Sequence, residues 1–347
     1  MRLQLIIAGM LVPSAARAQV ASVDVRNGLY QDTDHTTINT TVVAAKASPT
    51  TDLKVDGHYL VDIITSASVD VISAATTAFH ETRHEAAGGV SWHGLSAGYV
   101  YSVENDWESH TASADIQQDF NHRFTLSLGG RYVANAVGRA KDPNFHRSLD
   151  AYGGDVGLTF VLSPMDLLHL SYTAAYLDGY QASPYRFVTF DKQMLGAPET
   201  DPTTRLRHAV TLRWNHHGEG DTALRSHVRV YSDDWGIVSA TIGTEWVIGM
   251  GAWETGLHVR GYAQNGADFY QASYTQPMRY MTADRELSPF IDGFAGARLG
   301  WHHGTASFLK EFRFEIKVDG FGFYFFDFPR LRERAGVIGE LALGVSL

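Results

Sequence analysis

Large apolar residues alternate with charged or small ones in segment after segment of this chain, and the stretches between those segments sort by length. In Phe312-Arg313-Phe314-Glu315-Ile316-Lys317-Val318-Asp319 the alternation is complete. In Leu53-Lys54-Val55-Asp56-Gly57-His58-Tyr59-Leu60-Val61-Asp62-Ile63 the odd positions are apolar apart from Gly57, and Lys54, Asp56, His58 and Asp62 occupy the other face. A period of two marks a strand with one apolar and one polar face. The pattern predicts strands over about 22–31, 36–46, 53–63, 82–92, 95–104, 107–119, 122–134, 150–162, 167–178, 204–216, 222–232, 238–248, 252–263, 289–301, 307–326 and 335–347.

Alternate connections are short, such as His93-Gly94, Ser163-Pro164-Met165-Asp166 and Gly249-Met250-Gly251. The long ones, 64–81, 135–149, 179–203 and 264–288, all fall in the other set. Outer-membrane barrels have short periplasmic turns and longer outer loops. A soluble sandwich can use the same alternation inside out, but nothing makes it sort its loops by parity. The expected fold class is all-β: an antiparallel transmembrane β-barrel of about sixteen strands, with both the N- and C-termini periplasmic, short periplasmic turns and longer extracellular loops.

The first residues agree. Arg2 precedes a mostly apolar run, Leu3 to Val12, then Ala16-Arg17-Ala18, which is the layout of a cleaved signal peptide. The expected organisation is a signal peptide over 1–18 and one barrel domain over 19–347. No window approaches the roughly 20 apolar residues of a spanning helix. Mean hydropathy is −0.15, which suits a barrel whose strands show half their side chains to a polar lumen. The chain has no cysteine, so a closed hydrogen-bonded barrel, not disulfides, is the expected stabiliser. A formal net charge of −10 argues against a nucleic-acid partner.

A lysine or arginine on the lipid face costs about 2–4 kcal/mol at mid-bilayer, so the strand charges are expected to face the lumen. The candidates are Lys54, Asp56, His58, Asp62, Arg205, Arg207, Arg213, Arg225, His227, Arg229, Arg313, Glu315, Lys317 and Asp319. Trp92, Trp107, Tyr132, Trp214, Trp235, Trp246, Trp253 and Trp301 lie near segment ends, where aromatic girdles form. Acids gather in three outer turns: Asp32 and Asp34 with His35, Glu104 with Asp106, and Asp233 with Asp234. Clustered carboxylates offer hard oxygen ligands to a divalent cation such as calcium, although Asp and Asn also simply favour tight turns. No other cofactor is expected. Asp32, Asp34, His35, Asp233 and Asp234 would be the residues of a rim hydrolase, but no nucleophile motif accompanies them. The chain is expected not to be an enzyme.

Several stretches resemble one family. They are Leu29-Tyr30-Gln31-Asp32-Thr33-Asp34-His35-Thr36-Thr37, the run from His58 to Thr76, Glu81-Thr82-Arg83-His84-Glu85, Tyr101-Ser102-Val103-Glu104-Asn105-Asp106, Asp233-Asp234-Trp235-Gly236 and Ala267-Asp268-Phe269-Tyr270. The family is the one catalogued as domain of unknown function 3570 (DUF3570), found in Gram-negative bacteria. The resemblance implies an outer-membrane barrel with no assigned activity, and hints at an envelope redox or flavin-linked system with a small lipoprotein partner. Other expected partners are outer-membrane lipid, lipopolysaccharide and the barrel assembly machinery. The residues favour porin-like passage or transport of a small polar solute, with a plugged structural or adaptor barrel as the alternative. The apolar stretch 66–78 in the first long connection reads either as a plug folded into the mouth or as extended strands.

Overall fold

The computed structural model describes residues 20–66, 79–190, 193–304 and 309–347. The expected signal peptide and the apolar stretch from 67 to 78 lie outside the described residues. Sixteen antiparallel strands close into a barrel. They are β1 (Val20–Asp32), β2 (Thr37–Ser48), β3 (Leu53–Ser66), β4 (Phe79–Trp92), β5 (Leu95–Val103), β6 (Trp107–Phe120), β7 (Phe124–Val137), β8 (Arg147–Ser163) and β9 (Asp166–Gly179), followed by β12 (Thr204–His217), β13 (Thr222–Asp233), β14 (Val238–Met250), β15 (Trp253–Gln264), β16 (Phe290–Gly304), β17 (Glu311–Phe325) and β18 (Glu333–Ser346). A short hairpin, β10 (Phe187–Phe190) with β11 (Gln193–Pro198), stands apart in the connection from β9 to β12. Each barrel strand pairs with its neighbours in sequence, and β1 closes on β18, with Val25 opposite Leu343. Closure leaves no unpaired edge, as a strand in hydrocarbon requires.

Register fixes the two faces. Leu212, Val228 and Ile242 stand side by side on β12, β13 and β14, and Val259 and Leu257 lie on the same face of β15, opposite Thr244 and Trp246. Their outward exposure, 44% for Val228 and 64% for Ile242, marks the lipid face. One residue further along, Arg213, His227 and Arg229 point the other way. Followed around the barrel, the same alternation turns every arginine and lysine of the sixteen strands inward. All of the lumen-facing candidates from Lys54 to Asp319 occupy inward positions.

Trp92, Trp214, Trp246, Trp253 and Trp301 face outward toward the short-turn rim, with Phe120, Phe124 and Phe160. Tyr132, Tyr152 and Tyr176 form an outward row nearer the long-loop rim. Such rings suit the two interfaces. Two expected girdle residues are not in the girdle. Trp107 takes an inward position, pairs with Val137 and packs on the Val137–Leu149–Leu177 cluster. Trp235 is 4% exposed beneath a long loop. Strand phase decides this for Trp107; Trp235 lies in the turn between β13 and β14 and is covered by Ala267 and Leu287.

Loop parity is as expected. The His93-Gly94 turn has φ of 47° and 82°, the doubly left-handed form that matches hairpin twist. A Cβ on Gly94 would also lie 2.4 Å from the Gln117 carbonyl oxygen. The strands expected over 107–119 and 122–134 run to Phe120 and start at Phe124, which leaves a three-residue turn. Asn121 and His122 are both left-handed, and β7 starts at Phe124 because Phe120 pairs with Phe124.

Candidate functional site

Most inward charges are committed to one another. Arg298 binds Glu245 and Glu254, each at 2.5 Å, and lies 3.6 Å from Glu315. Glu245 also accepts from Arg225 at 3.2 Å. A Cβ on Gly256 would sit 2.7 Å from Glu245 and 2.9 Å from Arg298, so glycine lets this network lie flat on the wall. Asp319 takes both His258 and Lys317, the latter at 3.0 Å. Arg313 reaches Asp24 at 3.2 Å, Arg83 reaches Asp62 at 3.0 Å and His58 reaches Glu85 at 3.0 Å. Of the expected lumen charges, Arg225, Arg313, Glu315, Lys317, Asp319, Asp62 and His58 thus serve the wall. Lys54 and Asp56 form no salt bridge among the described residues. The His227 ring lies over Gly243.

The wall that runs from β7 through β8, β9 and β12 to β13 is different. Arg131, Arg207, Arg213 and Arg229 have no carboxylate within salt-bridge distance among the described residues, and the Nε of Arg207 is buried without a hydrogen-bond partner. Arg205 is held: its Nε and Nη2 donate to Asp233 at 2.9 and 2.5 Å, and its guanidinium lies 4.1 Å from the centre of the Trp235 ring. Arg131, Arg205, Arg207 and Arg229 line one lumen cavity of about 440 Å³, with Thr173, Tyr231 and Tyr262. Glu286 and Leu287, from the connection between β15 and β16, also border it.

That connection, 265–289, forms a cover over this part of the mouth. At one end Ala267 and Leu287 pack with Trp235 and Ile237, and the Asp268 N–H donates to the Trp235 carbonyl at 2.9 Å. At the other end Arg285 pairs with Asp34 at 2.6 Å, and Glu286 pairs with Arg334 at 3.1 Å. Between them the segment docks on the β10–β11 hairpin through the buried cluster Val188, Tyr274 and Met281. Thr200 and Met281 exchange two backbone hydrogen bonds of 2.9 Å. Glu199 accepts from the Thr282 hydroxyl at 2.9 Å and the Ala283 N–H at 2.7 Å. Arg186 joins Glu199 at 3.3 Å and Asp284 at 3.0 Å. Burial raises the carboxyl pKa of Glu199, and burial together with Glu199 and Asp284 pushes Asp201 up to about 7. None of this interlock is visible in the alternation pattern. The only sequence signal was that Asp233-Asp234-Trp235-Gly236 and Ala267-Asp268-Phe269-Tyr270 stood out together.

Two outer turns share one construction. Asp32 Oδ1 accepts from the N–H groups of Asp34 and Thr36, both at 3.0 Å, while Tyr30 donates to its other oxygen at 2.7 Å. Asp233 Oδ1 accepts from Trp235 and Ile237, again both at 3.0 Å, while Tyr231 donates to its other oxygen at 2.6 Å. His35, at φ 61°, and Gly236, at φ 85°, take the left-handed position. Asp234 accepts the Leu206 N–H at 2.9 Å. The rim acids Asp32, Asp34, Asp233 and Asp234 are therefore engaged in holding turns and the cover. Glu104 and Asp106 meet Glu81, with candidate ligand oxygens within 4.8 Å of one another. Tyr185 donates to Asp106. Burial raises the Glu104 carboxyl pKa, with Arg83 opposing and Asp106 adding to the rise.

Closed antiparallel strands, an apolar outer face and a charged lumen define an outer-membrane β-barrel. Residues 139–307 match the family model described as "Protein of unknown function (DUF3570)". This bears out the resemblance over Asp233–Gly236 and Ala267–Tyr270; the other quoted stretches lie before the match. No curated protein matches the sequence significantly. Among solved structures, a bacterial polysaccharide outer membrane secretin aligns over 93% of this chain and 97% of its own, at 9% identity and a TM-score of 0.51. OprD of Pseudomonas aeruginosa aligns over 97% and 98%, at 8% identity and a TM-score of 0.47. OpdK of the same organism aligns over 94% and 98%, at 8% identity and 0.44. The secretin likeness supports the fold.

Proposed function

We propose that this chain is an outer-membrane channel for passive passage or transport of a small polar solute. Its termini and short turns lie on the periplasmic side, and the 265–289 segment with the β10–β11 hairpin narrows the outer mouth. The export signal, the assembly machinery and contact with lipopolysaccharide belong to the same reading. The observation that carries it is the uniform inward orientation of the strand arginines and lysines, which leaves a hydrated, charged path inside an apolar shell. A sixteen-strand barrel is in the size range that holds an aqueous channel. The solute moves by diffusion past fixed charges, with no bond made or broken.

The interlocked cover favours a second reading: a closed barrel that serves as an envelope adaptor for a partner such as a small lipoprotein. Proteoliposome swelling separates the two. The channel reading predicts entry of small sugars and amino acids into liposomes carrying the heat-modifiable, folded barrel. Folded barrel that leaves the liposomes impermeable to all of them would establish the adaptor.

A further inference from the structure

We infer that the lumen cavity lined by β7, β9 and the strands from β12 to β15 is a binding site for a small oxyanion, of the dicarboxylate or phosphate class. The inference rests on the channel reading for its purpose but not for its chemistry. Four arginines, Arg131, Arg205, Arg207 and Arg229, line one cavity of about 440 Å³. Asp233 is bound to Arg205, and Glu286, the single carboxylate on the cavity border among the described residues, is bound to Arg334. Arg131, Arg207 and Arg229 are left without a carboxylate among the described residues. Elsewhere on the lumen wall the basic side chains of β16 and β17 are paired, as Arg298, Arg313 and Lys317 show. The cavity is thus a place where the chain gathers positive charge and withholds the counter-charge.

The chemistry of the remaining groups fits the same ligand. A guanidinium presents a fork of N–H donors matched to carboxylate and phosphate oxygens. The buried Nε of Arg207 is a donor with nothing to donate to, a situation that costs free energy unless a ligand completes it. Tyr231 and Tyr262 border the cavity, but their hydroxyls donate to Asp233 at 2.6 Å and Gln264 at 2.6 Å, so the arginines are the free donors. Leu287, Ile237 and Ala209 contribute apolar surface to the lining. A low-dielectric border strengthens the attraction between the arginines and an anion. The cavity has ample room for a dicarboxylate or a phosphate with bound water, and the like charge of its donors favours a ligand with two negative charges over one.

Calorimetric titration of the full chain in detergent, at low ionic strength, tests the site with succinate and inorganic phosphate as probes and putrescine as the cationic control. Saturable binding of at least one anion and none of putrescine is expected. Arg207→Gln and Arg229→Gln are each expected to weaken it about tenfold, and Arg131→Gln/Arg207→Gln/Arg229→Gln to abolish it. Arg207→Lys, which keeps the charge and loses the fork, is expected to fall between parent and Arg207→Gln. Heat-modifiability on gels confirms that each variant still forms the barrel, and the single variants decide if the triple one does not fold. No saturable anion binding by the folded parent, or binding unchanged in Arg207→Gln and Arg229→Gln, overturns the site. Anion binding by a barrel that leaves liposomes impermeable supports the site while removing the channel. A permeable barrel with no anion binding does the reverse.

Discussion

Arg285 and Asp34, 251 positions apart, form an ion pair at 2.6 Å in which the side chains are 4% and 5% exposed. The pair ties the cover to the turn between β1 and β2, beside the strand that closes the barrel. The guanidinium also lies 4.5 Å from the Phe325 ring centre, and its Nε and Nη1 have no hydrogen-bond partner among the described residues. Removing one member of a buried pair leaves a charge without compensation, at a cost of about 3–5 kcal/mol. Asp34→Ala is therefore expected to undock 265–289 and make it sensitive to limited proteolysis, while the barrel stays heat-modifiable. Asp34→Ala/Arg285→Met, which removes both charges, is expected to restore most of the protection. Equal protease resistance in parent and Asp34→Ala would show that the pair does not hold the cover.

The cover is also expected to respond to pH. Burial, Glu199 and Asp284 raise Asp201 to about 7, against Arg186 and Arg205, and burial raises Glu199. A carboxyl whose docked pKa lies above its free value favours docking fully below the free value, and that contribution fades as pH rises through the docked value. Docking is thus strongest near pH 4 and weakens up to about pH 7. Proteolysis of 265–289 by a protease active across this range is expected to rise several-fold from pH 5 to pH 8. Asp201→Asn is expected to flatten the profile. A profile that is flat in the parent, or that falls with pH, contradicts this assignment.

Val228 sits between His227 and Arg229 and faces lipid, paired with Leu212 and Ile242 across the neighbouring strands. It lies near the middle of β13. Val228→Arg is expected to destabilise the folded barrel by about 2–4 kcal/mol in lipid, read as a lower denaturant midpoint for unfolding from vesicles. His227→Arg, one residue away on the lumen face, is expected to cost far less. Comparable losses at both positions would mean that the faces are misassigned.

The barrel was legible because its signal is local. Each strand carries its own alternation, and lipid on one side punishes any slip of a single residue. That is why Arg213, Arg225 and Arg229 could be placed inward without knowing their neighbours. The site was legible only in part. Which arginines remain free depends on partners in other strands: Arg225 is taken by Glu245, while Arg229 is not. Asp34 and Asp233 looked like exposed rim acids because their partners, Arg285 and Arg205, come from distant segments. The cover had no period to read, since its order comes from contacts such as Tyr274 with Val188 and Met281. Trp235 was assigned to the girdle for the same reason, because the loop that buries it is irregular in sequence.

The central claim is that alternate residues of one strand meet lipid and a hydrated lumen. The chain has no cysteine, so single substitutions give a labelling background of zero. Ser226→Cys, His227→Cys, Val228→Cys and Arg229→Cys are to be treated in outer-membrane vesicles with a small hydrophilic maleimide. The account predicts rapid modification at 227 and 229 and protection at 226 and 228. Uniform modification of all four, or protection at 227 and 229 with modification at 226 and 228, would contradict it.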